Sequence, residues 1–255
     1  HGVVPVHARA QARALTPQSA FGCMAQTFAL LAREGNEPPA AVRACLDDLI
    51  RKAPDFAMGH ALKAMALLDE ASREAAYDPA PARAAQMLKE AERAVDLAPE
   101  SAYAAQTLAL VQSFVGEYRA ALDSGSRALR LNPFDADVAA AVGTVFIGSG
   151  HVDEGEALLA GAQAEGAARV PLKDAYLAMA AFLKADTSSA QALLPQLKLH
   201  PSRENILALA LALHILERSG DERAAVAALA SRSSGSADAV RRMVHHLLPA
   251  PDLAE

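Results

Sequence analysis

The chain has 255 residues, 52% of them apolar but only 4% aromatic, with no tryptophan and a formal net charge of −6. That acidic balance, without a Lys/Arg cluster long enough to track phosphates, argues against a nucleic-acid partner. No apolar run reaches the roughly eighteen residues of a membrane span, and about a quarter of the residues are alanine, a strong helix former that lets helices pack closely.

Residues 1–14 show no period and read as a leader or linker. Thr16-Pro17 offers a helix start, with Thr as N-cap and Pro at the first helical position. The pattern predicts a helix to about Arg33, a stop at Gly35-Asn36, and a second helix from Pro38-Pro39 to Lys52. Pro54 closes this first hairpin. The second repeat opens on PDFAMGHALKAMALLDE, whose helix carries Phe56, Met58, Leu62, Met65 and Leu68. Its partner helix, Arg83 to Leu97, comes late. The extra residues between them read as an extended first helix plus a loop at Asp78-Pro79-Ala80-Pro81.

The centre of the chain carries the organising signal. AERAVDLAP ends at Pro99 and SRALRLNP ends at Pro133, 34 residues later, and Gly116 and Gly150 stand 34 apart as well. That period is the signature of a tetratricopeptide array, a helix–turn–helix unit repeated. The third repeat pairs Glu100–Val115 with Glu117–Leu131, and the fourth spans Asp135–Ala168. Small residues fall where helices should cross: Ala109, Ala121 and Ala128 in the third, Gly143, Gly155 and Ala162 in the fourth. After Ala168 the pattern decays. A fifth hairpin is expected from Leu172–Lys184 and Ser189–Leu199, with its turn at Asp186–Ser188. A sixth is expected from Glu204–Arg218 and Glu222–Ser231, with Gly220-Asp221 between them. Ala237–Leu248 reads as a last helix capping the open end. The expected architecture is therefore all-α: a right-handed superhelix of about six helical hairpins over residues 15–248, with a tail at 249–255.

The order of features resembles one bacterial group. CLDDLIRKAPDFAMGHALKAMALL, an insertion, then AERAVDLAPES, RALRLNPFDAD and GSGHVDEG are similar to the tetratricopeptide sensor or scaffold regions of membrane-anchored regulators. These include proteins linked to winged-helix or adenylyl-cyclase modules. The resemblance covers roughly Cys23 to Gly166. It implies a non-catalytic module outside the cytoplasmic membrane, tethered by a segment N-terminal to His1, with a cytoplasmic site as the alternative.

Cys23 and Cys45 are the only cysteines in the sequence. They fall on the two helices of the first hairpin at positions that face each other to within a turn, so a disulfide is geometrically open. Two separate buried thiols are the alternative. The resemblance favours the bridge, which would imply an oxidising compartment.

No catalytic constellation emerges. The eight histidines include His245-His246, which point about 100° apart on a helix. There is no HExxH and no Cys/His ligand spacing, so the histidines read as solvated surface and no metal or cofactor is expected. Gly148-Ser149-Gly150-His151 reads as an inter-helix turn, because no strand precedes it and no GK[ST] follows. Asp135, Asp137, Asp153 and Glu154 read as helix-start acids facing the helix dipole.

What remains is a concave groove lined by the first helix of each repeat. The repeat register places Met58, Met65, Tyr103, Gln106, Ser113, Asp137, Thr144 and Ile147 along it. The basic clamp by which some tetratricopeptide domains hold a terminal carboxylate is missing from these positions. The expected function is a non-catalytic scaffold or sensor that buries a partner helix or extended peptide in this groove. The alternative is a periplasmic module for a small molecule or polysaccharide in envelope assembly or signalling.

Overall fold

A computed structural model describes residues 20–31, 39–73, 80–164, 173–199, 203–232 and 244. Among the described residues it holds twelve α-helices and no strand. In chain order they are α1 (Ala20–Leu31), α2 (Pro39–Lys52), α3 (Ala57–Arg73), α4 (Pro81–Leu97), α5 (Ala102–Phe114) and α6 (Tyr118–Leu131). The second half holds α7 (Ala136–Gly148), α8 (Val152–Ala164), α9 (Lys173–Leu183), α10 (Thr187–Leu199), α11 (Arg203–Ile215) and α12 (Ser219–Arg232). Consecutive helices pair as six hairpins, and each hairpin packs on the next. The fold is an all-α solenoid.

Helix starts follow local chemistry. Ser101 caps α5, its hydroxyl accepting from the Ala104 N–H at 3.2 Å. Asp135 caps α7 by accepting from the N–H groups of Asp137 and Val138 at 3.0 and 3.2 Å. Asp186 caps α10, accepting from the N–H groups of Ser188 and Ser189. Pro39 and Pro81 stand at the head of α2 and α4, where a missing N–H costs nothing. The extended α3 runs to Arg73, as the long second repeat requires.

Four hairpin turns are built from the same pair of backbone bonds. Glu117 N–H donates to Gln112 O at 2.8 Å and Gly116 N–H to Ser113 O at 3.2 Å. The pair recurs as His151 to Phe146 with Gly150 to Ile147, as Asp186 to Ala181 with Ala185 to Phe182, and as Arg218 to Leu213 with Glu217 to His214. This is the Schellman closure, which satisfies the last carbonyls of the first helix and needs a left-handed residue at its centre. Gly116 and Gly150 supply it at φ 86° and 90°. Ala185 and Glu217 occupy the same place at φ 51° and 56°, against the preference of any residue with a Cβ.

These bonds correct two expected turns. The fifth hairpin turns about Ala185, and Asp186–Ser188 cap and open α10. The sixth turns about Glu217. Gly220 lies inside the first turn of α12, with open space around it, and is not the bend. The closure is set by backbone bonds back to α11, which Glu217 and Arg218 make first.

Small residues sit at the helix crossings. Ala109 and Ala121 are fully buried in one cluster with Val145. At the equivalent place in the fourth hairpin, α7 and α8 meet backbone to backbone. A Cβ added to Gly155 would fall 2.6 Å from the Gly143 carbonyl oxygen and 2.6 Å from Ile147 Cγ1. Ala128 is fully buried against Ala105, Val138 and Val142, at the α6–α7 junction. Residues 1–19 and the expected capping helix at 237–248 lie outside the described residues, except that Val244 packs on the large core cluster.

The structure joins Cys23 of α1 and Cys45 of α2 as a disulfide, with Cα atoms 5.8 Å apart. Cys23 is buried beside Leu30, Val42, Leu46 and Leu62.

Candidate functional site

The first helices form one row. α1 packs on α3, α3 on α5, α5 on α7, α7 on α9 and α9 on α11. The second helices make no comparable contact with one another among the described residues. A row whose members touch must be the shorter path, so the solenoid bends toward the first helices. That puts their free faces on the inside of the curve.

The eight sequence-derived positions divide on this row. Met58, Met65, Gln106 and Ser113 are half-buried and Asp137 is exposed. Thr144 is 6% exposed and Ile147 is fully buried, so both belong to the core and not to a groove surface. Thr144 donates its hydroxyl to the Ala141 carbonyl at 2.7 Å, within its own helix. The physical reason is that α7 is packed by α5, α6, α8 and α9 together, which leaves only a narrow face free.

Tyr103 is half-buried, and its ring is committed. It stacks edge-on against Phe28 at a centroid distance of 6.2 Å. It also packs against the cluster of Cys23, Leu30, Val42, Leu46, Leu62 and Ala66, and against Ala61, Ala94 and Ala104. Burial pushes its hydroxyl well above the ordinary tyrosine range. Tyr103 therefore mortars α1, α3, α4 and α5 together.

Tyr176, in the first turns of α9, carries a signal that the sequence reading passed over. A Cβ on Gly148 would meet its Cε1 at 3.6 Å and Ser113 Oγ at 3.8 Å. Tyr176 thus fills the space where α7 ends beside α5, and it packs against two of the core clusters. Burial first, then the charge of Glu204 and the neighbouring Tyr118, push its phenol far up. Ser113 and Gln106 on α5 are both half-buried, and Asp137 on α7 is exposed. The buried Ser149 hydroxyl beside Gly148 has no hydrogen-bond partner among the described residues.

Several titratable side chains among the described residues form ion pairs. Lys184 reaches Asp153 and Glu156 at 2.8 and 2.7 Å across the α8–α9 junction. His151 pairs with Glu154 and His214 with Glu222 at the surface. His60 departs from the expected solvated histidine: it is 7% exposed and bonded to Glu90. His245-His246 lie outside the described residues. Among the described residues no group of three or more His, Cys, Asp or Glu could hold a metal ion. No helix among them is long and apolar enough to cross a membrane. Gly148–His151 is the α7–α8 turn, and Asp153 and Glu154 stand in the first turn of α8.

No family model matches the chain, and no curated protein matches it. Among the solved structures the chain is similar to the structure of Naa15/Naa10 bound to HypK-THB, at 15% identity and a TM-score of 0.32, over 96% of this chain and 36% of that one. The chain therefore spans little more than a third of that relative's length.

Proposed function

We propose that this chain is a tetratricopeptide-like scaffold that holds a protein or peptide partner against the inner face of its first-helix row, centred on Gln106 and Asp137. The observation that carries the reading is the continuous stacking of α1, α3, α5, α7, α9 and α11. It presents one long surface, built on rigid helices, of the kind that takes a helix or an extended segment. Met58, Met65 and Ser113 flank this centre. A small-molecule or polysaccharide role is less well served, because Tyr103, the aromatic such a site would use, spends its ring on Phe28. The Cys23–Cys45 bridge and the bacterial resemblance together favour the oxidising, extracytoplasmic side of a membrane.

The test is site-specific photocrosslinking in the producing cell. A photoreactive residue at Gln106 is expected to yield a defined adduct, and one at Arg130, exposed on the outer helix α6, is not. Adducts only from Arg130 would move the working surface to the convex side. Tyr103→Ala is a poor probe of binding, since it opens a hole between four helices. It is expected to lower the thermal midpoint by an amount equivalent to about 2–4 kcal/mol.

A further inference from the structure

A buried carboxylate on the first-helix row lacks a partner. Glu204, in the first turn of α11, is 4% exposed. Among the described residues no hydrogen bond or ion pair holds it. Its oxygens are nevertheless not among the sealed side-chain atoms left without a bond, so solvent touches an edge of the group. Lys173, at the head of the neighbouring α9, pairs with Asp174 at 4.0 Å instead. The N-terminal end of α11 favours a negative group, but the dipole offsets only part of the cost of taking a carboxylate out of water. A buried charge in a folded protein is as a rule paired.

Two phenols stand beside it. Tyr176 of α9 packs on the core cluster that includes Ile206 and Leu207, which follow Glu204 on α11. It lies within reach of the charge of Glu204 and of the Tyr118 phenol at the head of α6. Its ring also reaches the end of α7, with Cε1 3.6 Å from where a Cβ on Gly148 would stand, and Ser113 Oγ of α5 lies 3.8 Å from the same point. Neither phenol hydroxyl is hydrogen-bonded among the described residues. Carboxylate and rings thus meet where α5 and α7 end and α9 and α11 begin.

A carboxylate beside phenol rings is a composition that holds an organic cation: the acid supplies the opposite charge and the rings their negative faces. A divalent metal is poorly served, because one carboxylate and two phenols fall short of the roughly six oxygens such an ion takes. We propose that Glu204, with Tyr176 and Tyr118, forms a site for an organic cation, filled in the complex by a lysine or arginine side chain of the partner. The proposal rests on the partner-binding reading above and gives that partner a required chemistry, a basic residue that reaches the start of α9 and α11.

The test uses the whole chain with ring-labelled tyrosine and three probes, the capped amides of lysine, arginine and norleucine. The lysine or arginine amide is expected to shift the Tyr176 and Tyr118 ring signals. Norleucine amide, similar in shape to lysine but without its charge, is not. Glu204→Gln is expected to weaken that binding at least about tenfold. With no probe present, the same variant is expected to raise the melting midpoint by about 2 °C or more, since it removes an unpaired charge. A midpoint that stays level or falls would mean that Glu204 is already compensated within this chain, and overturns the proposal. So do ring signals that ignore both basic amides or move equally with norleucine amide. If Glu204→Gln does not fold, the wild-type titrations decide by the same criteria. Photocrosslinking at Gln106 separates the two readings. An adduct that persists unchanged in Glu204→Gln keeps the scaffold and removes the cation site. Basic amides that bind while Gln106 yields no adduct remove the partner as the source of the cation.

Discussion

Replacing Ala185 or Glu217 with glycine is expected to stabilise this protein, though glycine normally weakens a helical chain. Both residues hold the left-handed centre of a Schellman turn. A side chain there costs roughly 1–2 kcal/mol, and glycine gives back about 0.5–1 kcal/mol through its freer unfolded chain. The net gain is about 0.5–1 kcal/mol for Ala185→Gly, a rise of roughly 1–4 °C in the melting midpoint for a chain of this size. Both side chains are exposed, so no packing is lost. Glu217→Gly should gain somewhat more, because it also removes a carboxylate from the negative end of α11. The reverse change completes the experiment. Gly116→Ala meets no atom within 4 Å, so its cost is conformational alone. It should lower the midpoint by a similar amount. Thermal melting of these three variants beside the wild type is sufficient. A fall on Ala185→Gly, or no change on Gly116→Ala, would refute the claim that these turns share one left-handed requirement.

Three further outcomes are expected. Gly155→Ala should overpack the α7–α8 crossing and cost on the order of 1–3 kcal/mol in chemical denaturation, because its Cβ would meet backbone and Ile147 at once; a neutral result would mean that the two helices separate freely. Oxidatively folded protein, unfolded without reductant, should show almost no thiol reactive with a colorimetric reagent, and Cys23→Ser should lose roughly 2–4 kcal/mol, as expected for a bridge spanning 22 residues; two free thiols would remove the bridge. Burial works to raise the Glu90 carboxyl, but the bonds from Lys63 and His60 outweigh it and hold the group below its ordinary range. The stability it lends is present above the ordinary carboxylate range and is lost as pH falls through the lowered value, so the midpoint gap between wild type and Glu90→Gln should close as pH is taken down through and below the ordinary carboxylate range. A gap that persists at the acid end would show that Glu90 acts through shape and not charge.

The repeat was legible where its punctuation was glycine. Gly116 and Gly150, with Pro99 and Pro133, mark the period because left-handed turns and helix starts select those residues. The fifth and sixth hairpins use the same turns with Ala185 and Glu217, which carry no such mark, so the bend was read from the nearest turn-like residues, Asp186–Ser188 and Gly220-Asp221. Crossings were legible for a similar reason: Gly143, Gly155 and Ala128 are small where repeat geometry demands smallness. The groove was less so. Register gives the row a residue stands on but not how far its neighbours close over it, and Thr144 and Ile147 disappear under four helices. Tyr103 was placed on the correct helix, but its partner Phe28 lies 75 residues earlier and no spacing links them. His60 and Glu90 lie 30 apart, and Tyr176 reaches Gly148 from the next hairpin. Such pairings exist only once hairpins stack.

The placement of the tyrosines gives this protein built-in optical reporters. The chain has no tryptophan and four tyrosines, so its near-ultraviolet emission comes from phenol rings alone. Tyr103 sits where the first three hairpins meet, and Tyr176 where the third, fourth and fifth meet. Each ring is shielded by a different junction. With the other tyrosines changed to phenylalanine, each would report the opening of its own end of the solenoid. Coincident traces would mean that the array melts as a single cooperative unit, and separated ones that it unzips from one end.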